Sequence, residues 1–566
     1  MPPSLRLLFS LIPALGLGCG GGSAGDGGMD GGMGMLDGGA LDERCVLDRT
    51  RDEPPLTTDD VRVCARCVDS HARLANPLRV TGSIAVTATA VPRGLLITDY
   101  SFGPVVTFLT DEGEHVMLDE LALDDAPFEN LIEGLWVEEL RQEVHAIHGI
   151  EWSPGLYGWD AGTTWAAPVP GTNRVWIGTR FRAYTDQFLN REDFVLYEYG
   201  PEGWERLAAG HTIGRASYQR TALDGGELVA EMLDDRWLRI RANPDGSVDM
   251  RFREPEAELD LPSNPRTRWI YMSDLWPLPS GDVAIMVGER LTLDDGVPAW
   301  RTWLGVLDAD LDLVVPWQLF GAEVDDPAYA PGQAPFARAD WRSVVLPDRR
   351  AFTLAFGTLA ETDAVGWQHR WGMWVTEEGN IEPEPPGILL NPDRYLEGDG
   401  TRDPTGASHG LPGGRVGIVW DDGNFGGEPG HTWGQVVEPD GGTLFEEPKI
   451  LGPSINERAI WTWWAQDGAG HAYLAAPRFD GVSVPELRTG IQRVGIDLEY
   501  EWEEPTIVHT CPELLSGEGN GPFVIEGAHD EGVWVLWADV VPTVTGRGIQ
   551  VYKVTLLRPD GSFAWE

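Results

Sequence analysis

From about Leu78 onward the chain carries its apolar residues in short runs rich in Val, Ile, Leu and Trp, each cut by Gly, Pro or Asp. Runs of about four to eight residues bounded by turn formers predict β-strands, not helices. Tight turns join the runs in pairs. One series begins at Val91-Pro92-Arg93-Gly94, Val169-Pro170-Gly171, Leu223-Asp224-Gly225-Gly226 and Leu278-Pro279-Ser280-Gly281. It continues at Leu346-Pro347-Asp348, Leu411-Pro412-Gly413-Gly414, Asp467-Gly468 and Asp530-Glu531-Gly532. A second series follows each member of the first, as at Asp111-Glu112-Gly113, Pro244-Asp245-Gly246, Glu377-Glu378-Gly379, Pro439-Asp440-Gly441 and Pro559-Asp560-Gly561. Both series recur on average about every 63 residues. In three consecutive units a Trp precedes the second turn at the same offset: Trp303 before Asp310, Trp371 before Glu378 and Trp433 before Asp440.

Each unit reads strand, tight turn, strand, loop, strand, tight turn, strand. A lone four-stranded sheet of this size leaves both faces wet, whereas units stacked around an axis bury them against each other. The pattern resembles a β-propeller. Leu78 to Glu566 accommodates eight blades; seven is the alternative, because the first unit is short and the second carries an insertion. Aromatic residues fill the space between stacked twisted sheets, so Trp371, Trp374, Trp461, Trp463, Trp464, Trp534 and Trp537 are expected in the core.

The first 77 residues differ. Arg6 followed by the apolar stretch Leu7–Leu17 has the form of a secretory signal, too short to span a bilayer. Gly16-Leu17-Gly18-Cys19 resembles the lipobox of bacterial lipoproteins, with Gly16 standing where Leu is usual. The resemblance implies cleavage before Cys19, lipidation of its thiol and, from Gly20, an outer-membrane address facing the periplasm or the cell surface. Residues 1–19 are thus expected to be the signal and lipobox, and 20–56 a flexible Gly/Asp-rich tether. Residues 57–77 are expected to hold a short helix over Thr58–Leu74, started by Thr57-Thr58-Asp59-Asp60. In an oxidising compartment the remaining Cys45, Cys64, Cys67 and Cys511 form two disulfides. Cys511 is expected to bond one of the helix cysteines and Cys45 the other, with the pairing open. Cys64-Ala65-Arg66-Cys67 has no second ligand pair for zinc and no βαβ setting for redox chemistry.

Charge narrows the function. The chain of 566 residues carries 42 Lys+Arg against 90 Asp+Glu, a net charge of −48. No positive stripe is available to displace counterions from nucleic acid, so nucleic-acid binding is excluded as the expectation. Attachment to anionic lipid by charge is excluded likewise.

In an up-and-down blade the two tight turns share one face, and the longer connections share the other, where recognition residues concentrate. On that face lie Asp99, Asp186, Asp234, Asp235, Asp294, Asp295, Asp363, Asp421, Asp422, Asp480 and Asp539. Such a rim attracts Ca2+ or a basic partner, although Asp is also a common turn former. Alignment of the first strands places Asp274 and Arg342 as charges within apolar runs near the axis, as an ion pair or as ligand contacts. The binding candidates are therefore Asp274, Arg342, Asp294, Asp295, Asp363, Asp421 and Asp422. Gly406-Ala407-Ser408-His409-Gly410 matches a nucleophile-elbow pattern, but Leu411-Pro412-Gly413-Gly414 directs it into a hairpin. His145 and His148, with Glu143, Glu151 and Asp160 close in sequence to supply a carboxylate, form a second metal candidate that has no HExxH motif or nearby Cys. The expectation is a monomeric, lipid-anchored, non-catalytic propeller that binds an envelope protein or glycan, with no cofactor other than Ca2+. The alternative is a hydrolase or lyase acting on polysaccharide with Asp274 as acid or base.

Overall fold

The computed structural model describes the strands and tight turns between Val68 and Trp565. Residues 1–67, 118–158, 254–267, 321–337, 391–405, 454–462 and 512–522 lie outside the described residues, as do the shorter stretches 70–72, 77–85, 100–104, 184–189, 201–202, 215–219, 232–236, 293–297, 309, 340–342, 347, 358–368, 383–387, 422–430, 480–486, 543–547 and residue 566. Two short strands open the described part, β1 (Val68–Asp69) and β2 (Arg73–Asn76). Eight antiparallel sheets follow, arranged as a ring. Blade I runs from β3 (Val86–Val91) to β6 (His115–Met117), blade II from β7 (Trp159–Pro168) to β10 (Gly203–Gly214) and blade III from β11 (Arg220–Ala222) to β14 (Val248–Arg253). Blade IV runs from β15 (Arg268–Pro277) to β18 (Leu313–Phe320), and blade V from β19 (Arg338–Ala339) to β24 (Ile388–Leu389). Blade VI runs from β25 (Gly406–Leu411) to β28 (Lys449–Pro453), and blade VII from β29 (Trp463–Gln466) to β32 (Thr506–Cys511). Blade VIII is built on β33 (Phe523–Gly527), β34 (Val533–Pro542) and β35 (Gly548–Leu557). The inner strands of neighbouring blades touch, and β33 touches β3, which closes the circle. The protein is an eight-bladed, all-β propeller; the seven-blade alternative is excluded.

The core explains why the ring holds together. Among the described residues, buried apolar side chains fall into eight clusters, and each cluster joins two adjacent blades. Strand alternation does this, because successive side chains leave a strand on opposite faces. In blade VIII, Val533, Val535 and Trp537 pack on blade VII while Trp534 and Leu536 pack on blade I. Among the described residues no blade has a core cluster of its own. Trp374, Trp464, Trp534 and Trp537 are buried as expected.

Most of the described tight turns share one geometry. The first residue's carbonyl accepts from the fourth residue's N–H and its N–H bonds the fifth residue's carbonyl, as for Leu223 with Gly226 (2.8 Å) and Glu227 (2.7 Å). The fourth position has positive φ and is usually Gly, as at Gly226, Gly379 and Gly561. This is the bulged hairpin that suits twisted strands. Leu311 (φ 62°), Arg349 (φ 68°) and Leu498 (φ 60°) break the rule. Both leucine side chains are buried in the seam with the preceding blade, Leu311 against blade III and Leu498 against blade VI. Burial of a leucine, worth about 2 kcal/mol, outweighs about 1 kcal/mol of left-handed backbone strain.

Blade VIII draws on both ends of the chain. At its outer edge Phe563 pairs with Leu557; beyond that β2 takes over, with Arg73 opposite Val554 and Leu74 opposite Lys553. In blade VII the corresponding place is filled by one stretch: Tyr500 pairs with Val494, then β32 continues the edge. β1 adds a fifth strand outside β32. The propeller therefore begins before Leu78. The expected helix over Thr58–Leu74 gives way to strands at Val68–Asp69 and from Arg73, because these residues complete sheet edges that local sequence does not reveal. Residues 58–67 and 70–72 of that span lie outside the described residues.

Candidate functional site

Asp274 sits at a bulge in β15, between Met272 and Leu275. One carboxylate oxygen accepts from the Leu275 N–H (2.8 Å), and the other accepts from the Ser343 N–H of blade V. The Ser343 hydroxyl in turn bonds the Thr353 hydroxyl (2.8 Å). Asp274 thus caps the backbone of the next blade instead of standing free in the channel. Arg342 lies outside the described residues.

A second group lies between blades II and III. The Trp165 indole N–H donates to Glu192 (2.6 Å), Arg220 pairs with the same carboxylate oxygen (3.4 Å), and the Arg220 guanidinium lies 4.5 Å from the centre of the Trp165 ring. Gly178 leaves room for that ring, since a Cβ there would lie 2.0 Å from it. A nearly buried carboxylate is tolerable here because a cation and an N–H both face it.

The densest group is on the turn face of blade VII. Asp467, fully buried, accepts from the His471 N–H (2.8 Å) at one oxygen. Its other oxygen accepts from the Tyr473 hydroxyl (2.9 Å) and from the Gly532 N–H of blade VIII (2.7 Å), and lies 2.9 Å from His471 Nδ1. Burial and the Asp467 charge push the Tyr473 phenol well above its ordinary range. Asp467 therefore orients the His471 ring, a quarter of whose side-chain surface remains exposed, as carboxylates orient imidazoles at proton-transfer sites. It also ties two blades together. His409 on β25 is held neutral by burial, which lowers its pKa to about 4. β25 runs through a turn at Pro412–Gly414 into β26 (Arg415–Asp421), so Ser408 lies in a hairpin strand and not at an elbow.

The expected rim is placed only in outline. Asp421 is the last residue of β26, opposite Thr432. Asp99 ends β4 (Gly94–Asp99) and Asp539 lies within β34. Asp186, Asp234, Asp235, Asp294, Asp295, Asp363, Asp422 and Asp480 lie outside the described residues, as do His145, His148, Cys19, Cys45, Cys64 and Cys67. Among the described residues no three metal-ligating side chains converge, and no helix is long and apolar enough to cross a membrane. Glu192, Arg220 and the Asp467 group were not singled out from sequence. The first two sit in ordinary strand alternation. Asp467 reads as a turn former, although His471 and Tyr473 behind Asp-Gly were the available signal.

No protein-family description matches the chain, and no curated protein matches it. Solved structures are similar only in outline. A polysaccharide (ulvan) lyase is 9% identical, over 86% of this chain and 95% of its own, with a TM-score of 0.37. A eukaryotic initiation factor is 11% identical, over 71% of this chain and 86% of its own, with a TM-score of 0.28. An α-L-arabinanase of Penicillium chrysogenum is 12% identical, over 60% of this chain and 93% of its own, with a TM-score of 0.27. At these values the fold rests on the strand topology itself.

Proposed function

We propose that the protein is a monomeric binding propeller of the cell envelope, lipid-anchored through Cys19 at the outer membrane, that recognises a protein or glycan with the face opposite its tight turns. The carrying observation is how fully the turn face is engaged in internal contacts. Several turns accept hydrogen bonds from the preceding blade: Trp176 donates to Gly226, Gln318 to Gly379, and Arg493 and Trp502 to Pro559. Ion pairs Arg251–Asp310 and Arg253–Asp312 link blades III and IV there. A face stitched this way is a frame, and the ligand contact falls to the connections that leave the opposite ends of the strands. Their lengths vary widely, from 293–297 and 543–547 to 358–368 and 118–158. On this reading Ca2+ aids binding on that rim.

The test is capture from envelope fractions by a soluble fragment from Gly20 to Glu566, with and without chelator. Exchange of 293–297, 358–368 and 422–430 for short Gly/Asn turns should abolish capture, while comparable changes at the turn face should not. Capture that survives all three exchanges removes the proposal. The alternative, a polysaccharide hydrolase or lyase with Asp274 as acid or base, requires a second carboxylate or His within about 10 Å of Asp274.

A further inference from the structure

We propose that Lys449 is an acylation site, at which the folded chain takes an acyl group from an acyl phosphate and thereby loosens blade VI from blade VII. The 566 residues include two lysines, Lys449 and Lys553; the other side chains among the 42 Lys+Arg are arginines. A guanidinium stays protonated and does not take acyl groups, whereas a lysine amine does. Lys553, on β35 opposite Trp537 and Leu74, is 2% exposed and closed to reagents. Lys449 opens β28 at the outer edge of blade VI and keeps 27% of its side-chain surface exposed.

Lys449 also holds the seam. Its Nζ donates to the Glu499 carboxylate and to the Asp497 carbonyl (3.4 Å), both in the second tight turn of blade VII, and lies 5.9 Å from the centre of the Phe445 ring. Gln435 fixes Phe445, accepting from its N–H (3.2 Å) and donating to its carbonyl (2.9 Å). One blade later the same parts recur. Gln492 brackets Trp502 in the same way (3.2 and 3.0 Å), and Thr506, the first residue of β32, donates to the Gly561 carbonyl of blade VIII (2.8 Å). Each follows its bracketed aromatic at the same offset, from 445 to 449 and from 502 to 506, and each reaches the second tight turn of the next blade. The position is a built tie between blades. A hydroxyl makes it in blade VII and a primary amine in blade VI.

In the reaction the Lys449 ammonium gives one proton to water, and the amine lone pair attacks the carbonyl carbon of the acyl phosphate. A nitrogen–carbon bond forms and the carbon–oxygen bond to phosphate breaks. Inorganic phosphate leaves with that electron pair, and the nitrogen sheds a second proton to solvent. The resulting amide carries no charge. Glu499 is then left without its cation on a stretch that also carries Asp497 and Glu501. The chemistry does not depend on what the opposite face of the ring binds.

The full chain is treated with acetyl phosphate at mildly alkaline pH, once folded and once in guanidinium chloride, then digested with chymotrypsin and mapped by mass spectrometry. The folded chain should take acetyl on Lys449 at least about 20-fold faster than on Lys553, and the denatured chain on both within about twofold. Lys553 acetylated as fast as Lys449 in the folded chain overturns the proposal. So does Lys449 left unmodified there while the denatured chain reacts. The folded, acetylated chain should unfold about 2 °C below its mock-treated control, since the broken pair is partly exposed. Lys449→Arg keeps the charge without the amine and should show no shift under the same treatment. An unmoved midpoint in the acetylated parent, or an equal shift in Lys449→Arg, contradicts the loosening of the seam.

Discussion

The two seams that flank blade VIII are built differently. The seam with blade VII is polar and knotted. Asp467 accepts from Gly532 (2.7 Å), Gly468 donates to Ala528 and Ala469 to Asp530 (both 2.9 Å), and Thr506 bonds the Gly561 carbonyl (2.8 Å). The seam with blade I rests on apolar burial, Leu95, Ile97 and Leu109 against Trp534, Leu536, Val554 and Trp565. On its turn side like charges meet. Burial, then Glu112 and Asp530, raise the Asp111 pKa to about 6, against the opposing pull of His529 and Arg93. Neighbouring blades in one chain segment can be locked by precise turn-to-turn bonding. The joint between chain ends instead relies on non-directional packing and a borrowed strand.

The contrast can be broken most severely at the borrowed strand. Removal of residues 68–76 exposes the β35 edge and should cost at least about 4 kcal/mol or end cooperative unfolding, read by calorimetry. Next comes the knot. Asp467→Ala strands the Tyr473 hydroxyl and the Gly532 N–H, and should cost about 3 kcal/mol in denaturant unfolding. A change below about 1 kcal/mol would show that the knot does not hold the seam. Leu498→Ala empties the space it fills beside Gly434 in the seam between blades VI and VII, and should cost about 2–3 kcal/mol despite the positive φ.

The smallest effect concerns pH at the seam with blade I. Asp111 has a raised folded pKa, so its contribution favours the fold at low pH and is lost as pH climbs from about 4 through about 6. His409 has a lowered folded pKa, so its contribution is complete above about 6.5 and is lost as pH falls toward about 4. The two slopes oppose each other. Asp111→Asn should raise stability by about 1–2 kcal/mol at pH 7–8, a figure reduced for solvent screening, and leave it unchanged near pH 3. The variant should also show a steeper loss of stability between pH 6 and 4 than the parent. Equal profiles for the two chains would refute the like-charge account of this seam.

The repeat was legible because two turn series mark the same period, and a closed ring is the economical way to bury both faces of each unit. Asp274 was legible as a charge among apolar neighbours, but its role as a cap on Ser343 required the position of the next blade. The N-terminal strands were hidden. Val68–Asp69 and Arg73–Asn76 are too short to show alternation, and Thr57-Thr58-Asp59-Asp60 carries a genuine helix-start pattern. Their partners lie more than 400 residues away in the chain. No local window contains that information. The Asp467 group was hidden for a related reason, since one of its donors, Gly532, belongs to another blade.

The distance between Arg73 and Val554 also sets an order of events. A polypeptide made from its amino end carries β2 without its mate through the synthesis of nearly every other strand. Contacts of such long sequence separation form late, after the sheets between them have condensed. Until then the outer edge of the last sheet stays open to foreign strands, and any cellular holdase that attends this protein would find its customer there.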